Sequence, residues 1–236
     1  MKILIPMAGE GSRFAKEGYT FPKPLIDVNG KPMIQIIVEN LDFNAEYIFL
    51  VRGEHIEKYE GFEETLQRIT NGQCNIVVVD KLTEGAACTA LLAKKHINND
   101  EDLLIANSDQ YVQYSPENFT MFKEMTDVDA MVYTFESVHP KWSFVKTNSR
   151  GIVTKVVEKQ PISNIATCGI YWYRKGSDFV KYTEQMVEKN IRVNNEFYIA
   201  PVYNEFIRDG KTLIPFYVHE MWGLGTPEDL KAFLDR

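Results

Sequence analysis

Lys2-Ile3-Leu4-Ile5-Pro6-Met7-Ala8-Gly9-Glu10-Gly11-Ser12-Arg13 lies at the start of the chain, and the architecture is best read from it. A strand-sized apolar run feeds directly into a loop with glycines at 9 and 11, and Arg13 ends that loop. Glycine lets a backbone approach phosphate oxygens and present its N–H groups to them. Arg13, with Lys23 of Pro22-Lys23-Pro24-Leu25 downstream, adds positive charge suited to phosphate. The stretch therefore reads as a strand leading into a triphosphate cradle, although a plain strand-to-helix turn also uses glycine. It matches neither common phosphate loop, lacking both the third glycine of G-x-G-x-x-G and the Gly-Lys-Ser/Thr of a P-loop.

Beyond this loop, strands and helices alternate. A helix-like segment at Met33–Leu41 precedes the apolar strand Tyr47-Ile48-Phe49-Leu50-Val51. Helix-like segments at 61–70 and 86–96 then precede strands at 75–79 and 102–106. Apolar strands separated by helices predict an α/β fold with a mainly parallel sheet covered on both faces. From about Ala130 the character changes, with shorter strands at 144–146, 152–158 and 168–173 and a helix-like stretch at 177–189. This half reads as an inserted subregion that walls a site. No Pro/Ser-rich linker, low-complexity tract or internal repeat divides the chain, so residues 1–236 are expected to form one domain.

Composition narrows the function. A formal charge of -7 disfavours a general nucleic-acid surface, which needs basic patches. The longest apolar runs are strand-sized, far short of the ~20 residues of a membrane span. The N-terminal run lacks the apolar core and cleavage site of a signal peptide, so a cytoplasmic location is expected. Cys74, Cys88 and Cys168 have no paired metal-ligand spacing and read as free structural thiols. The four histidines, His55, His96, His139 and His219, are scattered and read as structural or surface residues.

The strand, the Gly9-Glu10-Gly11-Ser12-Arg13 loop and Pro22-Lys23-Pro24-Leu25 together resemble the sugar-phosphate nucleotidylyltransferase family, whose signature is G-x-G-[ST]-R followed by P-K-P-[LM]. The likeness continues along the chain. Glu158-Lys159-Gln160-Pro161 is similar to the family's E-K-P segment with one residue inserted. Thr167-Cys168-Gly169-Ile170-Tyr171 is similar to its T-G-x-Y strand, and Gly225-Thr226-Pro227-Glu228-Asp229 to its G-T-P-x-D. The resemblance implies a short, Rossmann-like form without an appended β-helix.

It also implies site residues. Arg13 and Lys23 would hold the triphosphate and stabilise charge at the α-phosphorus, with Ala8, Gly9, Gly11 and Ser12 forming the nucleotide loop and Gly85 near the base. Asp109 would bind the nucleotide's Mg²⁺; a carboxylate at the C-terminal end of a strand is where open α/β sheets bind ligands. Lys159 would receive the acceptor's phosphate and Glu158 a polar group of it, with Gly169 and Glu196 as further acceptor-site residues. The implied partners are an NTP, with a pyrimidine such as CTP, UTP or dTTP favoured, and a phosphorylated small molecule, by default a sugar 1-phosphate. A role in capsule or cell-surface polysaccharide synthesis follows from that class. Homo-oligomerisation is left open.

Two departures stand out. Many relatives carry a metal-binding Asp two residues before the Gly of G-T-P, where this chain has Gly223. The segment Trp142-Ser143-Phe144 is also bulkier than sugar-specific relatives imply, which keeps open a cytidylyltransferase acting on a non-sugar phosphate such as phosphoglutamine. A glycosyltransferase would carry Asp-x-Asp at the strand end, where Asn107 takes the first place. A non-catalytic nucleotide-binding protein is the rival outside enzymes, motivated by Gly223.

Overall fold

The alternation of apolar residues along the first strand determines how the molecule is layered. In the computed structural model, which describes residues 1–236, Ile3 and Ile5 face one core and Leu4 the other. Strand side chains point alternately to opposite faces, so a strand apolar on both must be covered on both.

The first half runs β1 (Lys2–Pro6), α1 (Ser12–Lys16), the small hairpin β2 (Asp27–Val28) and β3 (Lys31–Pro32), then α2 (Met33–Leu41) and β4 (Glu46–Arg52). It continues through α3 (Gly53–Lys58), α4 (Phe62–Ile69), β5 (Cys74–Val79), α5 (Ala86–Leu91), α6 (Lys94–Ile97) and β6 (Leu103–Ala106). β7 (Gln110–Gln113) and α7 (Pro116–Met125) lead into β8 (Ala130–Glu136), β9 (Ser143–Thr147), β10 (Val153–Glu158) and β11 (Ile165–Tyr173). The chain ends with α8 (Gly176–Glu188), α9 (Val202–Arg208), β12 (Leu213–Tyr217), β13 (Glu220–Gly223) and α10 (Pro227–Leu234).

Nine strands form one sheet, so both halves of the chain share a single scaffold. β6, β1, β4 and β5 pair in parallel, as expected. The second half makes the sheet mixed: β11 is antiparallel to β6, β8 and β9, and β10 is antiparallel to β9, while β12 joins β8 in parallel. One face is covered by α2, α4, α7 and α10 through residues such as Ile37, Leu66, Phe119 and Phe233. α5, α6, α8 and α9 cover the other through Ala90, Ile97, Phe179 and Phe206.

The expected inserted wall is an extension of this sheet. β6 pairs with the C-terminal part of β11 up to Ile170, and at Ala166 the neighbour becomes Phe144 of β9. Between these pairings Gly169 adopts φ +73°, and the register against β8 shifts. The β9–β10 hairpin thus stands beyond the C-terminal end of β6, where α/β sheets bind ligands. One expected element divides: the helix at 86–96 breaks into α5 and α6. Leu92 and Ala93 bond to Thr89 and Ala90, an i→i+3 tightening that interrupts the α-helical ladder.

Candidate active site

Two adjoining cavities open at the C-terminal ends of β1 and β6. The larger, about 680 Å³, is floored by the glycine loop after β1. Met7 N–H donates to Leu50 O at 3.0 Å, and buried Phe14 pins α1, which fixes both ends of the loop. Gly9 is exposed, with open space where a Cβ would stand, and Gly11 takes φ +62°, a conformation that favours glycine. Ala8, Gly9, Gly11, Ser12, Arg13 and Lys23 all line this cavity. Arg13 is exposed and has no carboxylate partner within ion-pair distance, so its charge faces the cavity uncompensated.

Gly85 lines the same cavity for a reason visible in the backbone. It has φ +135°, and a Cβ there would stand 2.5 Å from Phe197 O. Phe197 N–H donates to Glu84 O at 2.8 Å and Ala87 N–H to Phe197 O at 3.0 Å, so the segment around 197 is stitched to the Gly85 turn. Arg192 reinforces the stitch by pairing with Glu84 and stacking 4.0 Å from the centre of the Phe197 ring. Glu196 lies in a turn in this segment. It lines the nucleotide-loop cavity, although its charge also reaches Glu158 and Lys159.

The second cavity, about 400 Å³, is bounded by Glu158, Lys159 and Gly169 together with Ser143, Trp142 and Tyr198. Ser143 Oγ donates to the Glu158 carboxylate. Burial pushes the Glu158 carboxyl above the ordinary range, and the nearby Glu196 charge adds to this, against the Ser143 hydrogen bond and the Lys159 charge. Lys159 Nζ donates to the Tyr198 hydroxyl at 2.7 Å and lies 4.6 Å from the centre of its ring. Burial works against the Lys159 charge, but the Tyr198 hydroxyl and the carboxylates of Glu158 and Glu196 hold its pKa above the usual lysine value. At Gly169 a Cβ would fall 2.0 Å from Gln110 Oε1 and 2.3 Å from Asn107 Nδ2, so a larger residue would displace both side chains, and the backbone at φ +73° already favours glycine.

The cavities share Arg13, Ala86 and Gly225. At this seam Lys23 Nζ, from the first cavity, donates to Asp109 Oδ2 of the second at 2.8 Å. Asp109 is aimed by the backbone bond from Leu224 N–H to its carbonyl at 2.7 Å. No three acidic, His or Cys side chains converge to hold a metal by themselves. Mg²⁺ is, however, commonly held by one or two carboxylates plus substrate phosphates and water. Asp109 fits that mode: Lys23 Nζ holds only its Oδ2, and the glycine at 225, where a Cβ would stand 2.7 Å from that oxygen, leaves room beside the carboxylate.

The cysteines offer no activated thiolate: all three are free thiols, and burial pushes each one's pKa up. Sequence reading missed Tyr198, Arg192 and Lys141 as parts of the site. Asp229 stood inside the quoted Gly225-to-Asp229 motif, and its pairing with Lys141 at 3.0 Å had no sequence signal, since 88 residues separate them.

Comparison with known proteins places the chain in a family. The model of the family described as nucleotidyl transferase matches residues 2–231. This chain belongs to that family. Among its relatives, the low-salt glycan biosynthesis nucleotidyltransferase Agl11 of Haloferax volcanii is 25% identical, over 98% of this chain and 64% of its own length. The UTP–glucose-1-phosphate uridylyltransferase AglF of the same organism is 24% identical, over 97% of this chain and 93% of its own. The chain spans 40% of a third relative, the bifunctional protein GlmU of Methanocaldococcus jannaschii, at 25% identity and over 74% of this chain. Among solved structures, the nucleoside-diphosphate-sugar pyrophosphorylase of Vibrio cholerae RC9 superposes with a TM-score of 0.83 at 26% identity, covering 99% of this chain and 100% of that one. A UDP-glucose pyrophosphorylase complexed with UDP-glucose shares the fold, with a TM-score of 0.76 at 21% identity over 100% of this chain and 99% of that one. Within the nucleotidyl transferase family the chain is therefore built on a Rossmann-like sheet. No helix is long and apolar enough to cross a membrane.

Proposed function

We propose that this chain transfers a nucleoside monophosphate from an NTP to a phosphorylated small molecule and releases pyrophosphate. The observation that carries this reading is the seam: a glycine-loop cavity and a lysine-bearing cavity meet at Arg13, beside the Lys23–Asp109 pair. The NTP occupies the glycine-loop side, with a pyrimidine base favoured, and the acceptor's phosphate sits near Lys159. A sugar 1-phosphate is the acceptor this reading favours, in keeping with the names of the glycan-biosynthesis and glucose-1-phosphate relatives.

An acceptor phosphate oxygen attacks the α-phosphorus in line; a new P–O bond forms as the bond to the β-phosphate oxygen breaks, and pyrophosphate leaves with those electrons. Arg13 and Lys23 offset the charge that accumulates on the α-phosphate, so catalysis is by positioning and electrostatics. Lys159 orients the acceptor phosphate, and Glu158, held by Ser143, accepts a hydrogen bond from the acceptor body. Asp109 would hold a Mg²⁺ ion, which would supply positive charge to offset that of the phosphates. Pyrophosphate release, measured for four NTPs against a panel of phosphorylated acceptors, tests the proposal. Tight NTP binding with no release from any pair would mark a nucleotide-binding protein instead.

A further inference from the structure

Lys141 and Lys159 enter the second cavity from neighbouring chain segments, joined where Lys159 N–H donates to Trp142 O at 3.0 Å. Each ammonium is backed by an aromatic ring, Trp142 for Lys141 and Tyr198 for Lys159, both at 4.6 Å. Their charges differ in one respect. Lys159 has only the Tyr198 hydroxyl as a partner, whereas Lys141 is paired with Asp229 Oδ1 at 3.0 Å. Asp229 is itself fixed at the start of α10, where its N–H donates to Thr226 Oγ1 at 3.1 Å.

Gly223 makes room for this arrangement. A Cβ there would stand 3.4 Å from Asp229 Oδ2 and 3.5 Å from the tip of the Trp142 ring. A methyl fits in ordinary contact, but any longer side chain enters the volume that Trp142 and Asp229 fill. Phe135 packs edge-on against the same ring, at 5.5 Å and 83°. Trp142, Lys141 and Asp229 thus form one preset wall.

Resting on the transfer reaction proposed above, we infer that Lys141, Trp142 and Asp229 form the acceptor-specificity element, and that it reads an uncharged, hydroxyl-bearing part of the acceptor. A phosphate gains most from Lys159, which has no carboxylate within ion-pair distance, whereas Lys141 is already paired with Asp229. An ammonium, which only donates, beside a carboxylate, which only accepts, matches a hydroxyl that does both. An acceptor body carrying a single charge would have to break the pair and leave one partner without its counter-ion. Lys141 is therefore a residue of discrimination, and it favours a phosphorylated sugar or polyol over a singly charged acceptor body.

The test begins with wild-type pyrophosphate release on α-D-glucose 1-phosphate, α-D-mannose 1-phosphate, phosphocholine and phosphoglutamine with each NTP. For the acceptor turned over fastest, Lys141→Met should raise its KM about tenfold, the scale of one lost hydrogen bond near a charge, while the NTP KM stays unchanged. Lys141→Arg should recover most of the loss. Acceptor titration should also change tryptophan fluorescence in the wild type and in Trp222→Phe but not in Trp142→Phe, with thermal melts confirming that each variant is folded. An unchanged acceptor KM, equal rises in both KM values, or a preference for phosphocholine or phosphoglutamine overturns the inference and leaves nucleotidyl transfer standing. No release from any wild-type pair sinks the proposed function, and the specificity element with it.

Discussion

Arg13 is a guanidinium without a carboxylate partner at the seam of two cavities, and no packing need explains its position. Arg13→Ala is accordingly expected to leave the thermal melt unchanged and to lower turnover by roughly 10²–10³-fold, the scale of one lost charge-stabilising donor. Near-normal turnover in the folded variant would remove Arg13 from the chemistry. Asp109→Asn keeps the shape of the side chain but loses the charge that pairs with Lys23 and that would hold Mg²⁺ in the proposed reaction. The expected result is loss of Mg²⁺-dependent release, checked by a Mg²⁺ titration against the wild type; activity of the wild type in EDTA would refute the role. Glu158 gives a pH signature. Its pKa is raised chiefly by burial, so the carboxylate form exists above that raised pKa and is lost as pH falls through it. Acceptor KM should climb on acidification at a pH above the ordinary glutamate range, while Glu158→Gln should show no such step. A wild-type profile that stays flat down to the ordinary glutamate pKa counts against Glu158 as an acceptor ligand.

At the level of elements, two glycines at the site make opposite predictions. A methyl at Gly85 would meet backbone atoms of Phe197 at 2.5–2.9 Å, and φ +135° disfavours any other residue. Gly85→Ala should therefore destabilise by more than ~1 kcal/mol in urea unfolding, because neither the turn nor the segment stitched to it can yield cheaply. Gly223→Ala makes only ordinary contacts and should unfold like the wild type. If both variants behave alike, the close approach of the two backbones has been misjudged. The same contrast shows why some elements were readable in advance. β1, β4, β5 and β6 are apolar on both faces and separated by helices, so their pairing followed from local pattern. The break between α5 and α6, the switch of β11 from β6 to β9, and the stitch at Phe197 are set by distant partners, and no local period encodes them.

Across the whole molecule, the proposed reaction divides between two sheet regions, and the division can be tested. Arg13 and Lys23 stood out in the sequence as charges beside a glycine loop, and Asp109 through the family resemblance and its place at a strand end. Lys141 and Tyr198 were not, because only folding sets them beside Asp229 and Lys159. Lys159 belongs to the β9–β10 region, whereas the glycine loop belongs to β1, and the two touch only at the seam. Its ammonium is held by a phenol and lacks a carboxylate partner, so an incoming phosphate need not displace an ion pair. Loss of a charge-assisted hydrogen bond there should remove roughly 1.5–3 kcal/mol of acceptor binding. Lys159→Ala should therefore raise the acceptor KM by at least about tenfold and move the NTP KM little, as initial rates measured against each substrate would show. Because Lys159 also donates to Tyr198, Tyr198→Phe is the control: it keeps the ring under the ammonium, removes the hydroxyl, and should shift the acceptor KM far less. If Lys159→Ala instead weakens NTP and spares the acceptor, the two cavities have been assigned in reverse, and the phosphate that Lys159 meets belongs to the nucleotide.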